Sequence, residues 1–133
     1  MAQQQGKGLH IALWVVQGLL AAVFGMAGFM KLTAPIEQLA EGGMTFVNSY
    51  APGTVRFIGI SEVLGALGLI LPAALRIKPV LTPLAAVGIG VILVLACGYH
   101  VSHGEPFIIT VVFLALAAFV AWGRYKMAPI QPK

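Results

Sequence analysis

The chain has 133 residues, of which 59% are hydrophobic and only 9% charged, with a formal net charge of +4 and a mean hydropathy of +0.95. A soluble domain carries about 25% charged residues; this chain lacks that cover, so lipid must solvate most of its exterior, and its length suffices for one domain. The basic residues stand between and beyond apolar runs, which argues against a nucleic-acid footprint and reads as membrane topology, while a single cysteine, Cys97, excludes an intrachain disulfide or a CxxC pair.

Residues 1–8 are polar, and the apolar run 9–32 follows. It is too long for a signal-peptide core and has no clear cleavage site, so a retained span is expected. Next comes the longest loop, 33–54. Residues 34–41 are expected to form a short interfacial helix stopped by Gly42-Gly43, with Met44, Phe46, Val47 and Tyr50 at headgroup depth. Thr54 is the expected N-cap of a second span, 55–75, and Pro72 with Pro79 marks where that span stops. A third span covers 80–99 and a fourth 107–122; Pro83 and Pro106 each fall in an expected first turn, where a missing N–H costs nothing. A bilayer core of ~30 Å needs ~20 helical residues, and backbone groups in lipid must be satisfied within the segment. The predicted fold is therefore all-α: a bundle of four transmembrane helices forming one domain over residues 1–133, with a longer first outer loop.

In that topology Lys7, Arg76, Lys78, Arg124, Lys126 and Lys133 fall on one side and Lys31 and Arg56 on the other. The positive-inside rule then places both termini in the cytoplasm. Arg76, Arg124 and Lys126 read as anchors at helix C-termini, and Trp14 and Trp122 as belt residues near the inner interface. Cys97 reads as a small packing residue.

Glu62 stands out, as a carboxylate in the otherwise apolar run 55–75. Such a group costs roughly 2.5–3.5 kcal/mol at a helix centre on insertion scales. It shares a face with Gly59, Gly65, Ala66 and Leu69, and small residues mark faces where membrane helices approach closely. Glu62 thus faces the bundle, roughly 10 Å below the outer boundary at ~1.5 Å per residue. Lys31 closes the first span on a stripe with Gln17, Ala21, Phe24 and Gly28, and is its best-placed partner. Arg56 carries the wrong sign for a helix N-terminus and calls for a partner such as Glu62, Glu37 or Glu41, although Glu62, six residues on, lies about 120° off its face and is poorly placed. His100 ends the third span. Together Glu62, Lys31, Arg56 and His100 are the candidate ligand-binding or ion-pair residues of an outward-opening polar pocket; a structural Lys31–Glu62 pin serves the same residues equally well. His100, His103 and Glu105 form a weak candidate metal set, because Gly104 and Pro106 break the geometry a helix would give them.

Gly28-Phe29-Met30-Lys31-Leu32, Arg56-Phe57-Ile58-Gly59-Ile60-Ser61-Glu62-Val63-Leu64-Gly65, Leu69-Ile70-Leu71-Pro72 and His100, in that order, resemble the DoxX-like family of small four-helix membrane proteins, over about residues 18–124. The resemblance implies a bacterial inner-membrane protein in a class with links to redox complexes, and it matches Lys31, Arg56 and Glu62 to the family's charged positions. It carries over no catalytic set. The first expectation for function is therefore an accessory or quinone-contacting subunit of a redox or respiratory membrane complex, not a standalone enzyme, with no intrinsic cofactor and a quinone or lipid as ligand. Its partners would be the bilayer, other membrane subunits or further copies of itself, and not nucleic acid. A small proton-coupled transporter and a structural or assembly subunit without chemistry are the alternatives.

Overall fold

The computed structural model describes residues 2–132, apart from the side chains of residues 2–6 and 45. Its regular structure is helical: α1 (Ala2–Thr33), α2 (Ile36–Glu41), a 3-10 turn (Thr45–Asn48), α3 (Pro52–Leu75), α4 (Leu81–Ser102) and α5 (Ile108–Trp122), which runs into a π-helical turn (Gly123–Met127). α1, α3, α4 and α5 with its π turn are long and apolar enough to cross a membrane. Consecutive spans alternate in direction. Both ends of the described chain therefore lie at one end of the bundle, here the terminal end; the opposite, distal end carries the loops after α1 and α4.

Several boundaries differ from the sequence reading. α3 begins at Pro52 rather than after Thr54, with Ala51 as the flanking residue, because a proline at N1 needs no hydrogen-bond partner. Pro106 lies before α5, not in its first turn. α4 reaches Ser102, which puts His100 in its last turn.

Pro72 does not stop α3, which continues to Leu75. A proline inside a helix deprives the carbonyl four residues earlier of its amide partner, and here that carbonyl belongs to Gly68. The Thr82 hydroxyl of α4 donates to it at 3.0 Å. The neighbouring carbonyl of Leu69 accepts from Gln17 Nε2 of α1 at 2.6 Å. The helix survives its proline because two neighbours supply donors that water supplies in a soluble protein.

α1 packs chiefly on α3, α3 on α4, and α4 on α5, with α5 closing back on α1. The core joins Leu13, Leu20 and Phe24 of α1, Leu69 of α3, Ile89 of α4 and Val120 of α5. Outward, residues such as Val15, Phe57, Leu64 and Leu95 are exposed, as lipid-facing positions should be. The α1–α3 seam is tightest where Gly28 meets Gly59. A Cβ on Gly59 would lie 2.8 Å from the Gly28 carbonyl oxygen and 2.9 Å from the Lys31 Cβ, so only glycine lets these backbones meet.

Gly59→Val is expected to part this seam and lower stability by about 1–3 kcal/mol, the usual range for overpacking; Gly18→Ala, where a Cβ meets nothing within 4 Å, should not. Thr82→Val should cost about 1–3 kcal/mol through the orphaned Gly68 carbonyl, and Thr82→Ser should recover most of it. Unfolding of each variant in mixed micelles by SDS titration gives the comparison.

Candidate functional site

At the distal end, the last turns of α1 and the first turns of α3 bring three charged side chains together. Lys31 donates from Nζ to Glu62 Oε1. Glu62 is 1% exposed and Lys31 9%. The Gly28–Gly59 contact lets α1 and α3 approach closely enough for this pair to form inside the seam. Lys31 also stands 5.5 Å from the ring centroid of Phe46, a favourable position for a cation over an aromatic face. The ammonium is thus enclosed by a carboxylate and a ring.

Arg56 does not pair with Glu62, Glu37 or Glu41 as the sequence suggested. Its Nη1 donates to the carbonyl oxygens of Lys31 at 2.7 Å and Ala34 at 2.8 Å. The reason lies in the backbone: Pro35 has no N–H to offer the Lys31 carbonyl four residues earlier, and a helix C-terminus leaves acceptors open. A cation from α3 fills that vacancy, where the α1 dipole also favours it.

His100 is not hydrogen-bonded to these three. Its Nδ1 donates to Glu105 Oε1 at 2.8 Å, and the two side chains are 32% and 29% exposed. Next to it, Tyr99 stacks on His103 with centroids 3.9 Å apart at 24°, and meets Tyr50 at 6.0 Å and Phe46 at 6.4 Å. His103 Nδ1 lies 2.9 Å from the Tyr99 carbonyl oxygen, so His103 is turned away from a shared centre with His100 and Glu105. Among the described residues no group of three His, Cys, Asp or Glu side chains converges on a metal-sized site. The distal end therefore holds two sets, Lys31–Glu62–Arg56 and His100–Glu105–Tyr99–His103, with Phe46 touching both.

A third polar set, at the terminal end, was not expected. Arg124 was read as an anchor reaching for headgroups, yet it is 2% exposed. Its Nε donates to Gln17 Oε1 at 2.6 Å and its Nη1 to the Ala128 carbonyl at 2.7 Å; Nη1 also lies 3.0 Å from His10 Nδ1. Trp14 is not only a belt residue, for its ring lies 5.6 Å from the guanidinium. The π turn that follows α5 adds residues per turn and carries Arg124 inward. Gln17, a polar residue deep in an apolar run, was the signal that a donor would come to meet it.

Chemically the sets differ. The Lys31–Glu62 pair is enclosed and mutually satisfied, so it is suited to holding helices. The His100–Glu105 pair is partly exposed, and His100 Nε2 has no protein partner among the described residues, so it can hydrogen-bond a ligand.

If Lys31–Glu62 is a pin, Glu62→Leu alone should destabilise by about 3–5 kcal/mol by leaving a buried cation, while Lys31→Met with Glu62→Leu should recover most of that loss. A double-mutant cycle on unfolding in mixed micelles measures the coupling, and additive losses would rule the pin out.

The model of the DoxX-like family matches residues 15–121, most of the chain and all four spanning helices in whole or in large part. No curated protein and no solved structure matches.

Proposed function

The chain belongs to the DoxX-like family, and from that premise we propose that this multi-pass membrane protein is a quinone-contacting subunit of a redox complex in a bacterial inner membrane, with its basic terminal end in the cytoplasm. The observation that carries the reading is the His100–Glu105 pair at 2.8 Å, partly exposed and flanked by the stacked Tyr99 and His103 rings. A quinone headgroup is a flat ring with polar oxygens. It asks for an aromatic face, a hydrogen-bonding partner and a proton-exchanging group at the depth where its tail stays in lipid. Tyr50 and Tyr99 offer the first, and His100 backed by Glu105 the others.

The orientation rests on the positive-inside rule, since Lys7, Arg76, Lys78, Arg124 and Lys126 share the terminal end. In this reading electrons pass to a partner subunit, and the single cysteine forms no dithiol couple within the chain. In this reading Lys31 and Glu62 hold the frame. Every buried side-chain nitrogen or oxygen among the described residues has a hydrogen-bond partner, which suits a scaffold better than a transport path with a carboxylate waiting for a proton.

Purification in native lipids should bring down a quinone together with partner subunits. Binding of a short-tailed quinone, followed by quenching of intrinsic fluorescence, should weaken by about five- to tenfold in His100→Gln and Glu105→Gln, the effect of one lost hydrogen bond. A wild-type protein that binds no quinone and travels alone would overturn the proposal.

A further inference from the structure

The terminal end holds a cavity of about 450 Å3 between α1, the end of α3 and residues 129–131, lined by His10, Trp14, Ala73, Arg76 and Ile130 among others. Its electrostatics are one-sided. Arg76 reaches into the wall and Arg124 lies just behind, beside His10. The four carboxylate side chains of the sequence are elsewhere: Glu37 and Glu41 in α2, Glu62 in the distal half of α3, Glu105 in the loop after α4.

Both arginines are bonded to neutral groups. Arg124 uses Gln17, the Ala128 and His10 carbonyls, and the His10 ring. Arg76 donates from Nε to the Gln131 carbonyl at 2.8 Å and from Nη2 to that of Pro132 at 3.5 Å. The ion pairs among the described residues are Lys31–Glu62 and His100–Glu105, and neither arginine takes part. A buried cation calls for a counter-charge, and among the described residues no carboxylate side chain at this end supplies one.

The backbone strengthens the point. Arg76 caps α3 at φ 57 and Lys78 follows at φ 47, both in the left-handed region. Glycine is the usual residue at such a cap, and side-chain-bearing residues are strained there. The turn holds two cations in place despite that strain, at the level where α3 leaves the membrane. Anchoring alone would need only that the cations lie near the surface; it would not need a cavity, a buried second arginine or an Arg76 bonded to the chain that lines that cavity.

We propose that this cavity binds the phosphate headgroup of an anionic phospholipid. Arg76 contacts the phosphate through the guanidinium N–H groups its tail bonds leave open. Arg124 with His10 places positive charge behind it, and Trp14 and Ile130 lie against the glycerol region. The apolar lining, Ala73, Ala74, Pro129 and Ile130, favours a lipid over a free anion. The site is at the opposite end from the quinone-contacting residues and does not depend on them.

The test uses the full chain in detergent, titrated with phosphatidylglycerol or phosphatidylcholine of the same acyl chains, with bound lipid counted by native mass spectrometry. Phosphatidylglycerol should bind at least about fivefold more tightly, the effect of a single well-placed arginine near a headgroup. Arg76→Gln should abolish the preference, while Lys126→Gln, exposed and outside the cavity, should keep it. Excess inorganic phosphate should leave the lipid bound. Equal retention of the two lipids by the wild-type protein would overturn the proposal without recourse to any variant. Equal losses in the two variants would reduce the effect to diffuse surface charge, and displacement by inorganic phosphate would make this a free-anion site; either result also overturns it.

Discussion

Between these helices no polar group can turn to water, and that constraint governs the structure from the backbone up. Each carbonyl that a proline deprives of its amide must be met by another element. Arg56 meets the Lys31 carbonyl that Pro35 cannot, and Thr82 meets the Gly68 carbonyl that Pro72 cannot. The same rule extends to charges. Glu62, buried in α3, is tolerable because Lys31 reaches it across a seam that two glycines bring to backbone contact. A bond to such a carbonyl contributes roughly 1 kcal/mol when made, and the carbonyl left orphaned in the bundle costs about 1–3 kcal/mol.

How much of this was legible in the sequence follows from the kind of signal involved. The four spans were legible because apolar length is a direct reading of bilayer thickness. The Lys31–Glu62 pair was legible because a carboxylate among small residues leaves few places to turn. Arg56 was read through its charge alone, so a carboxylate was sought; its partners are carbonyls, and only the position of Pro35 pointed to them. Arg124 was missed because its place at a helix C-terminus was read as anchoring alone, whereas the chain takes a π turn at Gly123–Met127, and a single wider turn alters which side a residue faces. The expected grouping of His100 with Glu62 treated one end of the bundle as one place. In the structure Glu105, five residues on, takes the imidazole first.

The two ends carry different chemistry. At the distal end Glu62 pairs with an ammonium and Glu105 with an imidazole, and the second pair is the more exposed. At the terminal end no carboxylate side chain lies among the described residues, and Arg76 and Arg124 bind neutral groups only. A single Phe46, 5.5 Å from the Lys31 ammonium and 6.4 Å from the Tyr99 ring centroid, is the contact through which a shift in the 3-10 turn would reach both distal sets.

The Lys31–Glu62 pair and the proline-released carbonyl of Gly68 also bear on how such a chain enters a membrane. α1 precedes α3 through the translocon and presents Lys31 before Glu62 emerges, so the carboxylate arrives to a waiting counter-ion. Gly68 meets the opposite order: its donor, Thr82, lies beyond the turn in the next helix and has yet to be synthesised. α3 is therefore incomplete as a solitary segment, and its lowest-cost route into lipid is together with α4, as a hairpin delivered against the helix already there. The distribution of prolines and their distant donors thus writes an order of insertion into the chain.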